Sequence, residues 1–205
     1  MDLERQKEHF KNHIATFTDY GNIKILDFKN PDSSHYRIRF LFEEDYYRLH
    51  ISGDLGELIA SNYCNMTFNH FTDFINNIGY FVEKIDCHSR PISYYDEEAA
   101  REELKEHIEE YGLLDYYDRY SYDLYDGEEE KLEYALDDIL SDFSQDTGIS
   151  SNGYEALKEL DSEAYEWAYD LGKKGTGILD LYMLAFKLAT EQLKEGANKN
   201  NETSI

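Results

Sequence analysis

The sequence predicts an α+β protein, an antiparallel sheet with helices followed by an acidic, mainly helical region. Three observations carry this. Apolar residues alternate with period two over 36–52, and they recur with helical period beyond Asp96. The chain has 205 residues, the size of one domain or one domain with an appendage. Its apolar fraction of 41% supplies a core, which excludes wholesale disorder despite a net charge of −24.

In chain order, residues 3–18 read as a helix, with Leu3, Phe10, Ile14 and Phe17 on one side. Residues 22–28 are apolar and β-branched, a strand closed by Asn30-Pro31-Asp32. In 36–42, Tyr36, Ile38, Phe40 and Phe42 face one way, and Arg37, Arg39 and Leu41 the other. Glu43-Glu44-Asp45 turns the chain, 46–52 returns as a hairpin partner, and 55–61 follows as a further strand. Residues 67–75 read as a short helix with Thr67 as N-cap, and 79–85 as another strand. Residues 96–111 and 128–143 are amphipathic helices, the first with Ala100, Leu104, Ile108 and Tyr111 as its apolar stripe. Between them 113–127 alternates Asp with Tyr as a loop, and 141–153 is a second loop. Residues 162–171 read as a short helix around Trp167, and 177–193 as a less charged helix. The expected organisation is an α+β scaffold over 1–95, an acidic Tyr-rich helical region over 96–197, and a disordered tail over 198–205.

The charge is concentrated. Residues 1–90 carry net −4, residues 91–170 net −21 and residues 171–205 net +1, and 12 of the 19 tyrosines fall in the middle block. A small domain needs a net charge of only about 2–8 for solubility, so a block this negative carries self-repulsion beyond that need. Direct binding of nucleic acid is excluded, because neutralising phosphates takes an excess of Lys and Arg. The expected partner is basic. No run of about 18 apolar residues predicts a membrane span. The polar N-terminus and the two cysteines, Cys64 and Cys87, fit a reducing cytoplasm.

Searches for chemistry return little. Residues 172–177, Gly-Lys-Lys-Gly-Thr-Gly, lack the phosphate-loop order and read as a turn between helices, with Thr176 capping the second. Aligning Gly127 to the glycine of a calcium loop puts Tyr122 and Leu124 where oxygen ligands belong. Cys64, His70, Cys87 and His88 lack zinc-ligand spacing, and read as buried thiols with surface histidines. The expectation is a non-enzymatic protein with no catalytic residue, no metal and no cofactor. Its partner-binding residues are Glu98, Glu102, Glu106 and Glu109 as a carboxylate row, Asp115, Tyr117, Asp118, Tyr120, Asp123 and Asp126 in the loop, and Glu130 beyond it.

Residues 49–63 (LHISGDLGELIASNY) with 85–95 (IDCHSRPISYY) resemble small acidic proteins carried by phages and mobile elements of Gram-positive bacteria. In size, charge and lack of an enzyme motif the chain also resembles anti-CRISPR proteins. That resemblance implies an inhibitor that mimics DNA and occupies the basic nucleic-acid groove of a CRISPR effector, an RNA-guided nuclease. The alternative is an acidic regulatory or adaptor protein that binds another host or phage protein.

Overall fold

The computed structural model describes residues 2–116 and 127–202. The chain divides into two compact units, one formed by residues 1–92 with 177–205, the other by residues 93–176. The C-terminal helix, grouped with the acidic region on sequence, belongs to the first unit.

The first unit is an antiparallel meander of six strands, β1 (Ile14–Asp19), β2 (Ile23–Lys29), β3 (Ile38–Glu43), β4 (Arg48–Gly53), β5 (Leu58–Ser61) and β6 (Ile85–His88), ordered β1-β2-β3-β4-β5-β6. Alternation sets the register. Leu26, Phe40, Ile51 and Leu58 lie on one row across β2 to β5, and all are buried. Three short helices precede or interrupt the sheet, α1 (Leu3–Lys7), α2 (Thr72–Ile75) and α3 (Ile78–Val82). The long C-terminal helix (Ile178–Glu202) presses Tyr182, Met183, Phe186 and Ala189 into the same core. Phe186 is the hub, with ring centroids 4.8 Å from Phe71, 5.3 Å from Phe40, 5.7 Å from Phe68 and 6.0 Å from Phe42. Burial pushes the Tyr182 phenol up to about 12. On the open face, Arg39 grips Asp27 through two nitrogens at 2.8 and 2.9 Å. The edge strand β1 is capped by a side chain of the C-terminal helix: Gln192 accepts from the Ala15 N–H (2.6 Å) and donates to the His13 carbonyl (3.1 Å).

Several expectations are corrected here. Residues 3–18 are not one helix. The helix stops at Lys7, a 3₁₀ turn follows over 8–10, and 14–19 is β1. Ile14, Thr16 and Thr18 are β-branched, and Asp19 fixes a hairpin turn by accepting from the Gly21 N–H at 2.8 Å. Residues 79–85 are not a strand. Asn77 caps α3 by accepting from the Tyr80 N–H at 3.0 Å, and the helical turn delivers Phe81 onto Phe71. Thr67 bonds the His70 ring and gives no side-chain cap to α2. Both cysteines are exposed. The C-terminal helix runs through Glu202.

The second unit holds a two-stranded ribbon, β7 (Ser93–Tyr95) with β8 (Lys173–Gly175), and three helices, α4 (Glu97–Tyr111), α5 (Glu128–Ile139) and α6 (Ser151–Leu160). In sequence order the C-terminal helix is then α7. Within the 172–177 segment, Lys173–Gly175 is therefore a strand that pairs with β7, not merely part of a turn between helices. The helix expected around Trp167 is two 3₁₀ turns, 164–166 and 168–170. The core is Ala100, Leu104 and Ile108 against Leu132, Leu136 and Leu157, among others. α6 packs so closely on α5 that a Cβ at Gly153 would stand 2.0 Å from the Ile139 carbonyl oxygen.

Candidate functional site: an acidic helical face

α4 is anchored at its start. Asp96 accepts from the Ala99 N–H (2.8 Å) as N-cap and from the Lys174 ammonium (3.1 Å), and these partners hold its carboxyl below the ordinary carboxylate value. The Asp96 N–H donates to the Gly172 carbonyl (2.8 Å), and the Gly172 N–H donates to Glu103 (2.7 Å). Gly172 adopts φ +68°, and a Cβ there would lie 2.5 Å from the Asp96 carbonyl oxygen, so only glycine fits. At the far end Gly112, at φ +60°, closes the helix with its N–H on the Ile108 carbonyl.

Burying Ala100, Leu104 and Ile108 turns the opposite face outward, and Glu98, Glu102, Glu106 and Glu109 are all exposed on it. The expected row is thus present on one helix. Tyr111 departs from the expected core stripe: it is 61% exposed, with its ring 4.7 Å from that of His107. Counting every charge, α4 carries seven glutamates against Arg101 and Lys105. Over about 22 Å of helix that is one net negative charge per roughly 4.5 Å, against one per about 3.4 Å along each DNA strand.

α5 adds a second acidic surface. Glu128, Glu129 and Glu130 occupy its first turn, where the helix dipole favours carboxylates, and Glu130 is exposed. Asp115 falls in a 3₁₀ turn over Leu113–Tyr116, while Tyr117, Asp118, Tyr120, Asp123 and Asp126 lie outside the described residues.

Sequence reasoning missed two contacts. Arg101 reaches from α4 to Glu133 (3.0 Å) and to Asp137 of α5, so one guanidinium is shared between two carboxylates of α5. His107 Nε2 lies 3.0 Å from Asp161 Oδ2, which also accepts from Trp167 Nε1 at 3.1 Å. Burial alone would raise the Asp161 carboxyl, but the Glu163 N–H, His107 and Trp167 together hold it below its ordinary value. The His107 ring rests 4.2 Å from the Trp167 ring. No periodic signal links residues 54 apart, so only the folded chain brings His107 and Asp161 together.

A cleft of about 580 Å³ opens between α4 and α5, bordered by Lys105, Ile108, Glu109, Leu114, Glu129 and Leu132. Among the described residues no three His, Cys, Asp or Glu side chains form a metal-holding group, and no helix is long and apolar enough to cross a membrane. No protein-family model matches the chain, and neither a curated protein nor a solved structure is significantly similar to it.

Proposed function

We propose that the protein is a non-enzymatic inhibitor whose acidic face enters the basic nucleic-acid groove of an RNA-guided nuclease in the manner of a DNA mimic. The observation that supports this reading is the exposed carboxylate row of α4, presented on a helix locked at both ends. A rigid row incurs little ordering cost on binding. Its field sums over many charges and steers a basic partner from a distance.

The test uses the full chain with guide-loaded RNA-guided nucleases, measuring target-DNA binding at two ionic strengths. Inhibition should be competitive with DNA and should weaken steeply with salt. Changing Glu98, Glu102, Glu106 and Glu109 together to Lys should weaken inhibition. At about 0.2–1 kcal/mol for each exposed charge, the combined loss is on the order of tenfold or more, mainly in the association rate. A ternary complex of nuclease, DNA and this protein with undiminished DNA affinity would refute mimicry and leave the adaptor reading.

A further inference from the structure

The sheet of the first unit carries tyrosines that its core does not use. Tyr20 in the β1–β2 turn, Tyr46 in the β3–β4 turn and Tyr63 just past β5 are 70%, 68% and 96% exposed. In an antiparallel meander these three segments fall at the same end of the sheet. They are also tied together. The Glu44 N–H donates to the Asn22 carbonyl (2.8 Å), and the Asn62 N–H donates to the Tyr47 carbonyl (3.0 Å). Glu44 further accepts from the Phe68 N–H (3.1 Å) and pairs with Lys24 (2.9 Å). The loops therefore form one held surface. Adjacent loops stand two strands apart, about 10 Å, so the rings extend over roughly 20 Å.

The rings of this surface already take cations from their own chain. Arg48 lies 5.9 Å from the Tyr46 centroid. Lys84 lies 4.2 Å from that of Tyr80, whose hydroxyl accepts from Asn62 at 3.5 Å. Tyr20 and Tyr63 hold no cation among the described residues. Asp19, Glu43, Glu44, Asp45 and Glu83 outnumber Lys24, Arg48 and Lys84 at this end, and Asp45 is exposed and outside every ion pair among the described residues.

We infer that this end of the sheet is a second docking surface, which receives arginine side chains of a folded partner protein. Guanidinium planes stack on Tyr20 and Tyr63, and Asp19 and Asp45 accept their N–H groups. The planar, weakly hydrated guanidinium suits this arrangement better than an ammonium. At about 200 Å² a ring, the three exposed tyrosines supply on the order of 450 Å², half of the roughly 800 Å² that each side of a standard interface buries. Tyrosine offers that area with few rotatable bonds to freeze. The surface lies in the first unit and does not depend on the acidic face of α4.

The experiment observes tyrosine ring resonances of the isotope-labelled full chain, assigned with single Tyr→Phe variants, during addition of oligoarginine or oligolysine peptides of equal length. The Tyr20, Tyr46 and Tyr63 rings should shift saturably with oligoarginine, at several-fold lower concentration than with oligolysine. Tyr20→Ser and Tyr63→Ser, both exposed turn changes compatible with folding, should each weaken that response about two- to five-fold. The response should persist in the variant with Glu98, Glu102, Glu106 and Glu109 changed to Lys, which separates this surface from the α4 face. Rings that do not shift, that respond equally to both peptides, or that fall silent in the α4 variant would overturn the inference.

Discussion

Replacing Gly153 with alanine sets two effects of opposite sign against each other. Gly153 sits in the first turn of α6, three residues past the N-cap Ser150, whose hydroxyl accepts its N–H at 3.0 Å. Helix propensity alone favours alanine there by up to about 1 kcal/mol. Packing opposes it: the new methyl would stand 2.0 Å from the Ile139 carbonyl oxygen, where ordinary contact begins at 3.4 Å. The obstacle is backbone, and its residue is fully buried, so it cannot swing aside as a side-chain tip would. α6 must move off α5, loosening Ala156 and Leu157, at a cost of about 1–3 kcal/mol or more. The expected net effect is destabilisation by about 1–2 kcal/mol. With a urea dependence of about 1–3 kcal/mol/M, the unfolding midpoint should fall by roughly 0.3–2 M. Trp167 is the only tryptophan and lies in the second unit, so its emission follows this transition directly. Gly127→Ser at the N-cap of α5, where no atom of the described residues lies within 4 Å of the added Cβ, is the control and should hold or raise the midpoint. A midpoint unchanged or raised by Gly153→Ala would refute the packing argument.

Two further outcomes concern the first unit. Phe186→Ala empties the hub of the phenylalanine cluster and should cost about 3–5 kcal/mol, read as loss of near-ultraviolet dichroism at lower denaturant while Trp167 emission holds its midpoint; a smaller loss would mean that the cluster collapses into the gap. His13 is buried among Phe10 and Phe28, and burial holds its imidazole below the ordinary 6.5 against the raising effect of the Tyr36 and His35 backbone. The folded chain thus resists the proton that the unfolded chain accepts, so the contribution of His13 to stability is flat above pH 6.5 and declines as pH falls below it. The slope is at most about 1.36 kcal/mol per pH unit. His13→Phe should remove that slope between about pH 6.5 and 5, and an unchanged slope would assign it elsewhere. Asp54, Asp96 and Asp161, all held below 3.8, lose their contributions only in more acid solution, so the two windows separate.

The parts of the fold that could be read from sequence are those where one periodicity dominates. Phe40 and Phe42 announce a half-buried strand through alternation, and Leu104 and Ile108 fix which side of α4 faces solvent. The four glutamates of the row follow from that rotation alone. Ile14 and Phe17 fit a helix and a strand equally, and only the hairpin with β2 settles the matter. Tyr80-Phe81-Val82 is too short a run to carry a period, and its state is decided by the Asn77 cap and the pull of Phe71. Arg101 with Glu133 and Asp137, and His107 with Asp161, depend on distant pairs that no local pattern encodes. The same holds for the joined tyrosine loops, whose three members lie far apart in sequence and meet only through strand order.

The first unit is discontinuous, and that has a consequence during synthesis. Its sheet is complete once β6 has emerged, yet Phe186 and Gln192 follow only after the whole of residues 93–176. At roughly 5–20 residues per second, a ribosome needs about 4–17 seconds to make the intervening stretch. Throughout that interval the nascent sheet displays its phenylalanines to solvent, and the hydrogen-bonding groups of Ala15 and His13 await their amide. Chains stalled or truncated within the insertion should therefore be the ones that pair edge to edge and call on chaperones.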